Sequence, residues 1–178
     1  MRLVHVVNIA LITLYLAASA VTYVDLPDRF PTHFGIDGQP DAWSDKSPVM
    51  WFLLPLIGLA SLVVMYGVAS AITKSPGLLN IPDKKRFLQL PPERQKPVFD
   101  KVKAMLYWLT ATITVLFMAI QVSMWQGAHG DSTTTTMTLT MVIALGMTPV
   151  LLIVFLPGLT KEVDQQVKAY QAEGGQVT

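Results

Sequence analysis

His33, Asp37, Asp41 and His129 are the side chains best suited to chemistry in this 178-residue chain. Imidazoles with carboxylates form a ligand set for Zn²⁺ or another divalent ion. No helical H-x-x-x-H spacing organises them, so the ligand types stand without a pattern. Asp37, Gln39, Asp41 and Asp45 echo a calcium loop, yet Gly38 is misplaced for one and no Glu closes it. The rest of the inventory is sparse. The apolar runs hold no Asp, Glu or Arg in their interiors, which removes the usual carriers of protons and coupling ions. Paired intramembrane aspartates, HExxH, G-x-S-x-G and a P-loop are all missing from the sequence. Cysteine is absent, so disulfides and thiolate metal sites are excluded.

The elements that must position these residues are long and apolar. Hydrophobic residues make up 52% of the chain and charged ones 14%, with a mean hydropathy of +0.46. The charge deficit is concentrated in runs at about 3–24, 48–73, 102–126 and 134–157. Each exceeds the ~18 residues that mark a spanning helix. The first measures about 33 Å as a helix, against a hydrocarbon core of about 30 Å. Four such runs predict an all-α, integral membrane bundle of four transmembrane helices forming one domain over 1–178. The small residues Ala18-Ser19-Ala20 offer a rival reading of the first run as a cleaved signal, but the run is longer than a signal's usual core.

Basic residues set the orientation. Arg29 and Lys46 fall in the loop 25–47, and the short turn near 128–133 has none. The remaining eleven Lys and Arg lie on the other side. Both termini are therefore expected in the cytoplasm, with the loop 74–101 and the tail 159–178. The loop 25–47 is expected to be extracytoplasmic and ordered. Asp37-Gly38 predicts a tight turn, and Phe30, Phe34, Ile36 and Trp43 can fold onto the helix ends. Ser47 before Pro48 reads as a helix cap, and Asp131 or Ser132 could cap the fourth helix. Asn8 and Gln121 are expected to bond between helices, and Gly67 with Ala71 to permit close helix approach. His5 reads as a snorkelling polar residue. The basic, apolar piece at 84–90 suits an anionic leaflet, and a helix should restart at Pro92. Val163, Val167 and Tyr170 predict a short polar helix in the tail.

The stretch LPDRFPTHFGIDGQPDAWSDKSPVMWFLLP resembles the signature of a bacterial multipass membrane family of unknown function. The same motif forms the N-terminal region of SdpI-like immunity proteins, which are longer. The shared pattern runs through Leu26-Pro27, Pro31, His33-Phe34, Gly38, Asp41, Trp43, Lys46 and Pro55. The resemblance covers about 25–60, and more loosely 78–95. It implies the bacterial cytoplasmic membrane as location and a role in immunity to a secreted peptide toxin. It makes His33, Phe34, Gly38, Asp41, Trp43 and Lys46 the candidate ligand-binding residues. The preferred reading is thus binding or sensing at the outer face, without catalysis and without a cofactor. The alternatives are a metal-dependent membrane enzyme using His33, His129, Asp37 and Asp41 with a divalent metal such as zinc, or a small transporter or accessory subunit. Expected partners are the lipid bilayer, an extracytoplasmic peptide or protein ligand, and a second copy or another membrane protein. Nucleic acid is not expected for so short and tethered a basic loop.

Overall fold

The computed structural model describes residues 2–177; Met1 and Thr178 lie outside the described residues. The element order is α1 (Arg2–Val24), β1 (Arg29–Phe34), β2 (Pro40–Asp45), α2 (Pro48–Lys74), a 3-10 turn (Pro76–Leu78), α3 (Lys84–Leu88), α4 (Pro92–Ala128) and α5 (Thr134–Ala172). Helices α1, α2, α4 and α5 are long and apolar enough to cross a membrane. The chain is therefore built as a multipass membrane protein. Most of their large aliphatic side chains face outward, as lipid requires: Leu145 is 78% exposed and Ile153 70%.

Polar groups on the inner faces tie the helices together. Asn8 Nδ2 donates to the carbonyl of Tyr107 at 2.9 Å, and the Tyr15 hydroxyl donates to Phe117 O at 3.0 Å. Both bonds join α1 to α4, as expected for Asn8. Gln121 also bonds between helices, to Trp51 O at 3.4 Å. His5 packs against Tyr66 and Tyr107, whose own rings touch, and shares a hydrogen bond with the Tyr66 hydroxyl at 2.9 Å. Gly67 makes no close helix contact; a Cβ there would meet nothing within 4 Å. Close approach occurs instead at Gly58, where Phe117 and Tyr15 lie 3.6 Å from the would-be Cβ.

Helices α4 and α5 are longer than a bilayer is thick. Their charged ends, beginning around Lys103 and after Gly158, project beyond the uncharged segments. A second core forms there from Phe87, Leu90, Val98, Phe99, Val163 and Val167, with Ile72, Leu79 and Ile81. The tail is thus a continuation of α5, not a separate short helix. Segment 84–90 packs into this core through Phe87 and Leu90, and leaves Lys85 and Leu88 exposed. Phe87 is fully buried against Phe99, with ring centroids 5.5 Å apart, and Arg86 pairs with Asp164 at 3.4 Å.

One ion pair in this projecting part makes stability depend on pH. Lys101 Nζ lies 2.7 Å from Glu162 Oε2 and also donates to Gly158 O at 3.1 Å. The Lys101 hydrogen bond, aided by one from Gln166, holds the Glu162 carboxyl below the ordinary Glu value. A depressed folded pKa adds stability above the unfolded value, about 4.3, and loses it as pH falls through the folded value. Melting of the purified protein from about pH 6 down to about pH 3 should show this loss. Glu162→Gln should flatten that part of the profile. An unchanged slope in the variant would show that other carboxylates carry the acid response.

Candidate functional site

The segment between α1 and α2 is a β-hairpin, which amends the all-α reading. Its tip is a tight turn. Gly35 N–H donates to Gln39 O at 2.8 Å, Gly38 N–H to Gly35 O at 2.9 Å, and Gln39 N–H to Asp37 Oδ1 at 3.0 Å. Gly38 has φ +77°, the left-handed region that glycine enters without a steric penalty. The strands pair antiparallel, with Arg29 opposite Asp45, Pro31 opposite Trp43 and His33 opposite Ala42. The register slips on both sides of His33. Pro31 and Pro40 supply no N–H for a ladder, so an irregular two-stranded edge is what this sequence can build.

The base of the hairpin is seated firmly. Phe30 is 0% exposed and meets the Trp51 ring edge-to-face at 5.4 Å. Trp51 Nε1 donates to Ser19 O at 2.9 Å, joining α2 to α1. At the far end the Thr133 hydroxyl donates to Gly38 O at 2.6 Å, and Gln39 bonds the Thr134 hydroxyl. Thr133 is also the residue that precedes α5, in place of the expected Asp131 or Ser132. Gly127 of α4 allows the contact: a Cβ there would lie 2.8 Å from Pro31 Cγ and 3.3 Å from Pro40 Cγ. Lys46 closes the third side. Its Nζ donates to Leu26 O at 2.6 Å and Val24 O at 3.3 Å, and sits 5.0 Å from the Tyr23 ring. It thereby satisfies carbonyls left open at the end of α1. Ser47 caps α2 as expected, accepting from Met50 N–H at 3.4 Å.

The motif residues thus divide into two sets. Gly38 and Lys46 hold the platform, and Phe34 is half-buried in the cluster that contains Phe30 and Trp51. His33, Asp41 and Trp43 face outward. His33 Nδ1 meets Asp41 Oδ1 at 2.5 Å, with both side chains exposed. Trp43 is 43% exposed and Ile36, at the tip, 96%. The expectation that Ile36 and Trp43 fold onto the helix ends is therefore corrected. Phe30 and Pro31 are buried in their place, with Phe34 half-buried beside Phe30.

The metal set is not assembled. His129 Nδ1 donates to Trp125 O at 2.8 Å, and the two rings meet at a tilt of 37° with centroids 4.3 Å apart. The Asp37 carboxylate serves the turn. Among the described residues, no three His, Asp or Glu side chains are placed to hold a metal ion. Beneath the hairpin a cavity of about 130 Å³ opens between α1 and α4, lined by Tyr15, Ala18, Ser19, Met118, Gln121 and Trp125. Gln121 Oε1 and Trp125 Nε1 are buried and find no partner among the described residues.

The sequence reading missed Thr133, Gly127 and the Phe30–Trp51 pair. Only a glycine near a helix end and a threonine-rich run after it hinted at the first two.

Much of this arrangement lies in the part of the chain that a family model matches. Residues 10–59 match the sequence model of a domain of unknown function, DUF1648. The match takes in most of α1, the whole hairpin and the first turns of α2. Comparison with curated proteins and with solved structures gives no match.

Proposed function

We propose that the chain is a non-enzymatic binding protein of the bacterial cytoplasmic membrane, of the immunity-protein kind. In this reading the hairpin faces outside and both termini face the cytoplasm. The eleven-to-two division of basic residues supports that orientation. One observation carries the role. A platform seated on three helices leaves an indole partly and an isoleucine almost fully exposed, and among the described residues neither belongs to a buried cluster. Rigid aromatic anchors of this kind concentrate binding energy, at about 2 kcal/mol or more per hot spot. The His33–Asp41 pair beside them offers charge and hydrogen bonds. An extracytoplasmic peptide with apolar side chains fits this surface.

The test uses intact cells of a deletion strain. Wild type should restore survival under challenge with a membrane-active peptide toxin. Trp43→Ala with Ile36→Ser should not restore it, although the variant melts like wild type. Full survival with the double variant would end the binding claim. An Ile36→Cys protein should react with an impermeant thiol reagent in the same cells. Reaction only after permeabilisation would overturn the orientation and leave the binding result to be judged separately.

A further inference from the structure

Two cavities lie side by side at the end of the bundle away from the hairpin, between α2 and α4. Their volumes are about 340 and 460 Å³, and both are lined by Thr73, Lys74 and Lys103. Lys74 ends the uncharged run of α2, and Lys103 stands at the start of that of α4. The pair therefore sits where the helices enter the hydrocarbon, whichever way the chain faces.

The charges of α4 are matched unevenly. Lys96 pairs with Asp100 at 3.0 Å and Lys101 with Glu162 at 2.7 Å. Lys103 is half-buried, and among the described residues no carboxylate pairs with it or with Lys74. Asp100 borders the second cavity but is already taken by Lys96. A partly desolvated ammonium without a counter-charge is costly, and an anion supplied from outside removes that cost. Ser70 lines the first cavity and can add a hydroxyl donor. The Thr73 hydroxyl already donates to Ala69 O at 3.1 Å and can only accept.

We infer that Lys74 and Lys103 form a binding site for the phosphodiester headgroup of an anionic membrane phospholipid. A lipid suits the site better than a free phosphate. The cavities open at the hydrocarbon boundary, and α2 exposes Val63, Val64 and Val68 on its adjoining turns, where acyl chains can lie. Basic pockets between spanning helices hold acidic headgroups in this way. The site is independent of the hairpin and of its proposed ligand.

The probe is phosphatidylglycerol, presented in nanodiscs of phosphatidylcholine with the full-length protein. Lipid retained by the protein is counted by native mass spectrometry. Wild type should retain phosphatidylglycerol in preference to phosphatidylcholine. Lys103→Gln and Lys74→Gln should each weaken retention about fivefold, and Lys103→Arg should keep most of it. Lys85→Gln removes an exposed charge from the same end of the molecule and should change little. Melting measured on each variant identifies any that fails to fold, and Lys74→Gln, at an exposed helix end, then stands in for Lys103→Gln. Equal loss in Lys85→Gln would reduce the effect to general surface charge and overturn the site. Displacement of the lipid by a millimolar excess of inorganic phosphate would assign the cavities to a soluble anion instead. No preference for phosphatidylglycerol would overturn the proposal outright.

Discussion

Phe30→Ala is expected to destabilise the purified protein by about 4 kcal/mol, whereas Trp43→Ala should shift it by less than about 1 kcal/mol. Both residues are hairpin aromatics within the matched residues 10–59, and sequence alone does not rank them. The structure does. Phe30 is 0% exposed and its ring stands at 90° to Trp51, itself 1% exposed. Removing the ring leaves a cavity against Trp51, Leu26 and Met124, the buried members of one cluster. Truncating a buried Phe typically costs about 3–5 kcal/mol, part of which is the edge-to-face attraction between the two rings. The backbone cannot easily collapse into the space, because the strand is fixed at both ends by Lys46 and Thr133. Trp43 is 43% exposed and belongs to none of the buried clusters, so truncating it opens little cavity. Denaturant unfolding in detergent, with wild type and both variants side by side, checks this. Equal losses for Phe30→Ala and Trp43→Ala would mean that the hairpin is not seated on Trp51.

The spans were legible because lipid imposes a single rule on long stretches: no charge for about 20 residues. Ser47-Pro48 and Asp37-Gly38 were legible because capping and tight turns need particular residue types locally. What could not be read depends on distant partners. Thr133 matters because Gly38, 95 residues earlier in the chain, places a carbonyl against it. Lys46 stands out in the motif, but its job of closing α1 emerges only once the chain has turned back on itself. The strands were hidden by Pro31 and Pro40, which argue against a regular ladder, and by the register slips around His33. The second core escaped notice for a related reason. Phe87, Val98 and Val163 come from three separate segments, and α3 spans only five residues, too few to show a period. Among the candidate site residues, chemistry alone grouped His33 with His129 and Asp37. Local partners claim His129 and Asp37 first, leaving His33 with Asp41.

Gly38→Val is expected to cost about 3 kcal/mol, and Gly174→Val well under about 1 kcal/mol. Both glycines have positive φ, +77° and +90°. Backbone strain for a β-branched residue is therefore present at each in the folded geometry. The surroundings differ. A Cβ on Gly38 would lie 3.1 Å from Thr134 Cα and 3.3 Å from Met137 Cβ. One of these atoms is backbone at the start of α5, and the other sits at the root of a buried side chain, so neither can swing away. Around Gly174 nothing lies within 4 Å, and the residue follows the last turn of α5, where the chain can relax. The valine at 38 must therefore push the hairpin tip off α5. That also breaks the Thr133 bond to Gly38 O and the Gln39 bond to Thr134. Each such bond contributes about 1 kcal/mol. Gly38→Ala, with the same first clash but without branching, should fall between wild type and Gly38→Val. Matching melting temperatures for Gly38→Val and Gly174→Val would show that the tip is not packed against α5. The exposed Ile36 would then sit on a swinging loop instead of a fixed platform, and the binding role would lose its structural basis.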